Sequence, residues 1–508
     1  MITTDVATVA PAPASTVAGG SSRLARNLAF LAGGQVATWG LSLLWTIFVP
    51  RALGPRGLGE LTIAYAATGV VSVVVSLGVG TLMVKEIARD RLKAPWMLGT
   101  AFVVRALFVV PSVAAIALYI RLAGFGGEQA VVIWMATASM ILVMFTGPLQ
   151  SVFQAIERME FLAYADVLSK AAVTVLSIAV VLVGFGVVPV MAIALGMATV
   201  VLALNLYWSR GRFGIDWHID RGHIRYLVVE SLPYWSTGLV LTIYMWIDSV
   251  MLGFMSSQSV VGYYAAPTKL FSTLLFVPVI LATAFLPRLS AAFRDGSAAL
   301  QKAGRPALEL VIVLGLPIAV GVVLVAKPAI NVIYGPAFAP AVPVLFILGL
   351  TLAPTYFNVM VNQLLVANNR QLAWTKVMVA SAIVNPALNL VLIRYFQSQQ
   401  HNGAIGAALS LLATEIGMAV AGLILLPPIL GRQSLFRFLR TICATGGMAL
   451  VVLWLRPHLG FVMQVAVGGV TFAMLAVALR LLSSDELELV RGAMSRVIGR
   501  SLKKGSRV

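Results

Sequence analysis

Apolar residues in this chain come in stretches of about twenty or more, the length a helix needs to cross a hydrocarbon core. Short clusters of Gly, Pro and charge separate them. The pattern predicts fourteen membrane-spanning helices, at 27–50, 61–84, 96–120, 129–154, 163–183, 187–208, 227–253, 260–286, 306–326, 340–366, 372–393, 403–430, 437–455 and 459–482. An even number of crossings puts both termini on one side. The fifth and sixth spans are divided only by Gly184-Phe185-Gly186 and Pro189.

Composition sharpens this into a class. With 60% hydrophobic and only 11% charged residues over 508, an array of soluble domains is excluded, and the chain reads as an all-α polytopic membrane protein. Cys443 is the single cysteine and lies in an apolar run, so it reads as a small buried hydrophobe. The first 22 residues lack the basic-then-apolar order of a cleaved signal; they read as a disordered cytoplasmic tail before an uncleaved first span.

A formal net charge of +18 raises the question of nucleic acid, and topology answers it. Most of the 36 Lys+Arg fall in the tails and in the loops after even-numbered spans. On the opposite side lie Arg51, Arg56, Arg121, Lys327, Arg394 and Arg456. Both termini are therefore expected in the cytoplasm. The segment 483–508 continues this bias: Ser483 and Glu486 have capping-box spacing, and Leu487, Val490, Met494, Val497 and Ile498 could share a face among interspersed arginines and lysines. We expect a basic amphipathic helix on anionic lipids of the cytoplasmic face, with no nucleic-acid partner.

Two echoes relate helix n to helix n+6. Leu53-Gly54, Gly59, Glu60 and Ala64 recur as Leu252-Gly253, Gly262, Tyr263 and Ala266, and Ala155-Ile156-Glu157-Arg158 resembles Ala367-Asn368-Asn369-Arg370. Because six is even, the copies share an orientation. The expected organisation is a six-helix bundle at 23–208, a cytoplasmic connecting loop at 209–226, a second parallel-oriented bundle at 227–430 and two extra helices at 431–482. The bundles are expected to enclose a central cavity and to rock for alternating access.

Catalytic chemistry finds no place in this pattern. There is no phosphate-binding G-x-x-x-x-G-K-[ST], and His218, His223, His401 and His458 lie in or beside loops without zinc-site spacing. The outer loops are short, which disfavours a membrane glycosyltransferase or polymerase. We therefore expect no enzyme, no catalytic residue and no metal.

Attention passes to charges within spans, which are costly in lipid and tend to face a cavity or a partner. Arg105 and Lys269 each lie about nine residues into a span, too deep to reach a headgroup layer easily. As cavity cations they would bind an anionic group, Arg with its fork and Lys as a point charge; as structural groups they would be paired, with Asp248 the candidate partner of Lys269. Glu415 is the deepest acid, either a carrier of a coupling proton or a neutral acid bonded to a neighbouring helix. Weaker candidates are Lys170, four residues after Asp166 and expected to pair with it, and Lys376, shallow enough to snorkel. Prolines 111, 148, 233, 278, 317, 354 and 386 fall within spans and could kink them.

The segment 230–290 then adds a resemblance. Pro233-Tyr234, Ile247-Asp248-Ser249-Val250-Met251-Leu252-Gly253, Val261-Gly262-Tyr263-Tyr264-Ala265-Ala266, Lys269-Leu270 and Phe285-Leu286-Pro287-Arg288-Leu289-Ser290 resemble the central signature of bacterial polysaccharide-biosynthesis flippases. Arg51-Ala52-Leu53-Gly54-Pro55 with Gly57-Leu58-Gly59, Gly335-Pro336-Ala337-Phe338 and Gly403-Ala404-Ile405-Gly406-Ala407-Ala408 are similar to further patterns of that family. The family belongs to the multidrug/oligosaccharidyl-lipid/polysaccharide exporter superfamily. The resemblance implies flipping of a polyprenyl-diphosphate-linked oligosaccharide across a bacterial inner membrane, for O-antigen or exopolysaccharide assembly beside a polymerase and glycosyltransferases. It implies no cofactor beyond a proton or sodium gradient, and it carries over only Asp248 and Lys269 as motif positions. A multidrug/cation antiporter is the alternative within the superfamily.

Overall fold

The structure, a computed structural model, describes residues 15–218, 220–294, 297–426 and 429–481. Among these residues thirteen helices are long and apolar enough to cross a membrane. One of the thirteen, Thr38–Ser76, holds two of the expected spans end to end, which reconciles the count with the fourteen apolar runs.

Helix α1 (Ser15–Ser76) starts inside the segment expected to be a disordered tail and passes through the region expected to be the first loop. Only Gly54 interrupts it, at φ 70° and ψ 180°. That backbone conformation is open to glycine without a Cβ penalty, and Pro55 follows where a new helix's missing N–H does no harm. The expected loop is thus a one-residue break. The second span breaks in its turn at Leu77 (φ 48°) and Gly78 (φ 68°) before α2 (Val79–Arg89).

The other helices follow the apolar runs closely. They are α3 (Ala94–Leu122), α4 (Gly127–Ala155), α5 (Met159–Leu182), α6 (Val187–Ser209), α7 (Arg221–Met255), α8 (Gln258–Leu274), α9 (Phe276–Arg294), α10 (Ser297–Ile333), α11 (Val342–Ala367), α12 (Gln371–Gln400), α13 (Gly403–Leu425), α14 (Arg432–Leu455) and α15 (Phe461–Ala478). The eighth expected span is α8 and α9 with a step at Leu275, just before Pro278. The amphipathic helix expected at 483–508 lies outside the described residues.

Packing divides the chain into two units. Of the described residues, the first contains those up to Val49 together with Thr68–Leu239; the second takes Pro50–Ala67 and those from Val240 onward. In the first, Leu82, Met83, Ile87, Met97, Leu98 and Val152 form a buried apolar core. The connection between α6 and α7, shorter than the expected 209–226 because α7 begins at Arg221, is anchored there: Asp216 N–H donates to the Pro95 carbonyl (3.1 Å), and Trp217 stacks on Phe102. The break at Gly78 faces α7, where the Trp235 indole donates to the Val73 carbonyl (3.0 Å).

In the second unit α10 packs on α11, α12 on α13, and α14 and α15 on each other and on α10. Its core around Leu58, Ala265, Ala266, Ala326, Ala329 and Ala341 is rich in small residues, as expected where helices must approach closely without a hydrophobic drive from water. The repeated glycines are the tightest example. A Cβ added at Gly59 would overlap the Gln258 carbonyl, and one added at Gly262 would overlap the Pro55 carbonyl. The two copies of the sequence echo therefore meet reciprocally, each glycine admitting the other helix's backbone.

Candidate functional site

Helix α7 carries two residues that organise the polar interior of the second unit, Tyr244 and Asp248, one helical turn apart. Asp248 is 4% exposed. One carboxylate oxygen accepts a hydrogen bond from the Tyr264 hydroxyl of α8 (2.6 Å); the other accepts one from the Asn389 amide of α12 (2.6 Å). The same amide also donates to the Asn385 side-chain carbonyl one turn earlier on α12 (3.0 Å). Among the described residues, the Asn389 carbonyl oxygen of this cluster has no hydrogen-bond partner.

Glu415 of α13 is the counterpart, 5% exposed. The Tyr244 hydroxyl donates to one of its carboxylate oxygens (2.7 Å) and the Asn358 amide of α11 donates to the other (2.7 Å). Asn358 also donates to the Glu415 backbone carbonyl (2.9 Å), locking side chain and backbone together. Tyr244 and Asp248 both lie on α7, so this helix contributes a residue to each acid's cluster. Both carboxylates thus take hydrogen bonds from neutral groups. Tyrosine hydroxyls can reverse donor and acceptor roles, so each acid can gain or lose a proton without breaking the cluster.

Lys269 lies on α8, half-buried. Its place on the same helix as Tyr264 keeps it in the second unit with both acids, while Arg105 belongs to the first. Arg105, on α3, is 6% exposed, and one of its terminal nitrogens donates to the Met144 carbonyl of α4. Gly147 leaves room for the guanidinium: a Cβ there would lie 3.1 Å from the Arg105 nitrogen. Among the described residues the Arg105 Nε has no hydrogen-bond partner and Arg105 joins no salt bridge. A buried guanidinium held by one backbone carbonyl and short of acceptors is suited to receive an anion.

The weaker candidates stand apart. Asp166 and Lys170 are both exposed on α5, and neither joins a salt bridge among the described residues, so the expected i,i+4 pair is not formed. Lys376 is exposed near the start of α12, where it can reach a headgroup layer. No group of three or more His, Cys, Asp or Glu side chains suited to a metal occurs among the described residues.

Sequence reasoning missed Asn358, Asn385 and Asn389, all 5% exposed or less, and it singled out Tyr264 only as part of the family resemblance. A usable signal was present for two of them: Asn385 and Asn389 repeat at i,i+4 in an otherwise apolar span, which places two amides on one helix face.

Comparison with known proteins agrees with this architecture. Residues 24–293 match the polysaccharide biosynthesis protein family. AglR of Haloferax volcanii, described as a flippase, is 29% identical over a match covering 52% of this chain and 56% of that protein, so the chain spans little more than half of that relative. An Escherichia coli K12 protein described as an O-antigen transporter is 23% identical over 77% of this chain and 94% of its own length. Among solved structures, the inward closed conformation of the lipid II flippase MurJ superposes with a TM-score of 0.69 at 16% identity, over 88% of this chain and 98% of that one. An inward-facing multidrug resistance transporter of the MATE family gives 0.62 at 17% identity, over 79% and 95%. The fold is that of this group.

Proposed function

We propose, from the premise that the chain belongs to the polysaccharide biosynthesis protein family, that it is a flippase. Its substrate is a polyprenyl-diphosphate-linked oligosaccharide, moved from the cytoplasmic to the periplasmic leaflet of a bacterial inner membrane by alternating access. The observation that carries this reading is Arg105: a buried cation without an acidic partner among the described residues, its Nε unused. A diphosphate supplies the acceptors it lacks, and Lys269, a half-buried cation of the second unit, is a further candidate for an anionic group. The relatives described as a flippase and an O-antigen transporter support the substrate class. The bias of basic residues toward even-numbered loops supports cytoplasmic termini.

Asp248 and Glu415 serve in this reading as the coupling groups. Their neutral hydrogen-bond partners let them take up and release a proton or sodium ion as the transporter cycles.

The test is a flipping assay in liposomes with a fluorescent polyprenyl-diphosphate oligosaccharide. Wild type should expose the label to the opposite leaflet, and Arg105→Ala should not. Equal flipping by Arg105→Ala and Lys269→Ala would remove the assigned role of the cations, and no flipping by wild type would remove the function. The same two buried carboxylates favour one other reading, a cation antiporter. It predicts that ethidium leaves loaded vesicles when a proton gradient is imposed.

A further inference from the structure

Among its described residues the connection between α6 and α7 contains no helix or strand, yet its middle is held firmly on α3. Asp216 N–H donates to the Pro95 carbonyl (3.1 Å). One turn further along α3, the Asp216 carbonyl lies against Gly99, where an added Cβ would overlap it. Only a residue without a side chain lets the connecting backbone rest directly on the helix at that point. These two contacts place the next side chain. Trp217 stacks on Phe102 of α3 with ring centroids 6.2 Å apart and planes 26° from parallel, and Phe102 packs in turn on Phe145 of α4 at 5.9 Å.

The rings lead to Arg105, and all of these residues belong to the first unit. Phe102 and Arg105 share a face of α3, three residues and about 4.5 Å apart along the helix axis. Phe145 follows Met144, whose carbonyl accepts from the Arg105 guanidinium. The opposite face of α3 exposes Ala106, Leu107 and Val110 and is the one suited to lipid. Trp217 therefore does not sit on the lipid-facing side, where a tryptophan of the aromatic belt belongs. It is nonetheless 60% exposed, while Phe102 beneath it is only 8% exposed. One face of the indole rests on a ring and much of the remainder is open. Beside it, the Asp216 carboxylate accepts from the His218 backbone N–H (2.9 Å) and lies 3.2 Å from the imidazole Nδ1, and both side chains are accessible to solvent.

We infer, on the proposed reading of Arg105 as the diphosphate site, that Trp217 is a stacking platform for a sugar ring of the lipid-linked cargo, with Asp216 and His218 placed to hydrogen-bond its hydroxyls. A pyranose presents a face of C–H groups that matches the electron-rich face of an indole. Its edge carries hydroxyls, for which a carboxylate is an acceptor and an imidazole either donor or acceptor. In a lipid-linked saccharide the diphosphate stands between the hydrocarbon chain and the first sugar. A diphosphate at Arg105 thus directs the glycan toward the start of α3, where Trp217 lies. The C–H face is common to many pyranoses, so the indole reads the presence of a sugar and the hydroxyl contacts read which one.

Binding of two probes to the purified full-length protein, polyprenyl-diphosphate-linked N-acetylglucosamine and sugar-free polyprenyl diphosphate, tests the inference by native mass spectrometry. Wild type should bind the sugar-bearing lipid about three- to tenfold more tightly, the scale of one aromatic contact. Trp217→Ala should abolish that preference without weakening the sugar-free lipid, and Trp217→Phe, which keeps a ring, should retain most of it. Trp217→Leu keeps apolar area without a ring face and should behave as Trp217→Ala does. Equal binding of the two probes by wild type, or a preference that survives in Trp217→Ala or Trp217→Leu, would overturn the sugar platform. Equal weakening of both probes by Trp217→Ala would make the residue a structural or membrane anchor and overturn it too. Arg105→Ala reports on the underlying reading separately: it should weaken both probes, and unchanged binding of the sugar-free lipid would remove the diphosphate site whatever the Trp217 variants show.

Discussion

The two units bury charge in opposite ways. In the first, Arg105 is enclosed between α3 and α4 with one backbone carbonyl to donate to and a nitrogen left over. In the second, Asp248 and Glu415 are as deeply enclosed, yet each has both carboxylate oxygens occupied, by tyrosine on one side and asparagine on the other. A group whose hydrogen bonds are complete inside the protein contributes to holding it together; one whose bonds are incomplete costs stability until a ligand arrives. Under the proposed function, the contrast separates residues that serve the fold and the cycle from one that serves the substrate.

The largest effect should come from the incomplete group. Arg105→Ala should cut flipping by about tenfold to a hundredfold, the equivalent of about 1.5–3 kcal/mol of charge-assisted hydrogen bonding, with little or no loss of thermal stability. Loss of both together, with flipping restored when the protein is refolded in stabilising lipid, would place Arg105 with the structural groups. Next in size, Glu415→Ala should destabilise by about 1–3 kcal/mol, because the Tyr244 hydroxyl and the Asn358 amide are left buried without their acceptor. Thermal unfolding in detergent measures it, and an unchanged midpoint would break the comparison from the other side. Glu415→Gln keeps an acceptor and should retain more stability than Glu415→Ala while losing response to an imposed ion gradient.

A smaller effect belongs to Tyr264→Phe, which removes one of two hydrogen bonds to Asp248 at nearly constant volume and should cost about 1 kcal/mol. The smallest is set by pH. The Lys93 ammonium, 2.7 Å from Glu86 at the end of α2, holds that carboxyl below its usual range by donating a hydrogen bond to it. A carboxyl held low stabilises the folded state above the ordinary carboxylate pKa of about 4.3 and loses that contribution as pH falls through the lower folded value. Unfolding midpoints followed from pH 5 downward should fall less steeply in Glu86→Gln than in wild type; identical slopes would show that the pair contributes nothing.

How far the sequence foretold these groups depends on what kind of signal each one emits. The spans were legible because lipid demands long apolar runs, and α3 to α6 begin and end within a few residues of the expected positions. Arg105, Asp248 and Glu415 were legible because a charge in such a run stands out. Asn358, Asn385 and Asn389 were not, because an amide barely disturbs hydropathy and its meaning lies in a partner far along the chain: Asp248 and Asn389 are 141 residues apart, Tyr244 and Glu415 171. The expected pairing of Asp166 with Lys170 failed for a related reason: spacing brings side chains to one face, but on an exposed face each can be solvated separately. The first loop was misjudged because one left-handed glycine can join two spans where composition suggests a turn.

That short stretch after Gly54 has a consequence for the order in which the protein is made. Pro50–Ala67 belongs by packing to the second unit, where Gly59 fits against α8 and Arg51 donates to the Val332 carbonyl, 281 residues downstream. A ribosome delivers this segment early and its partners late, so it waits in the membrane, its glycine notch unfilled, through the synthesis of the whole intervening chain. Closing contacts at such separations is slow and comes after local helix pairs have formed. The second unit is therefore completed by a piece of chain that predates nearly all of it.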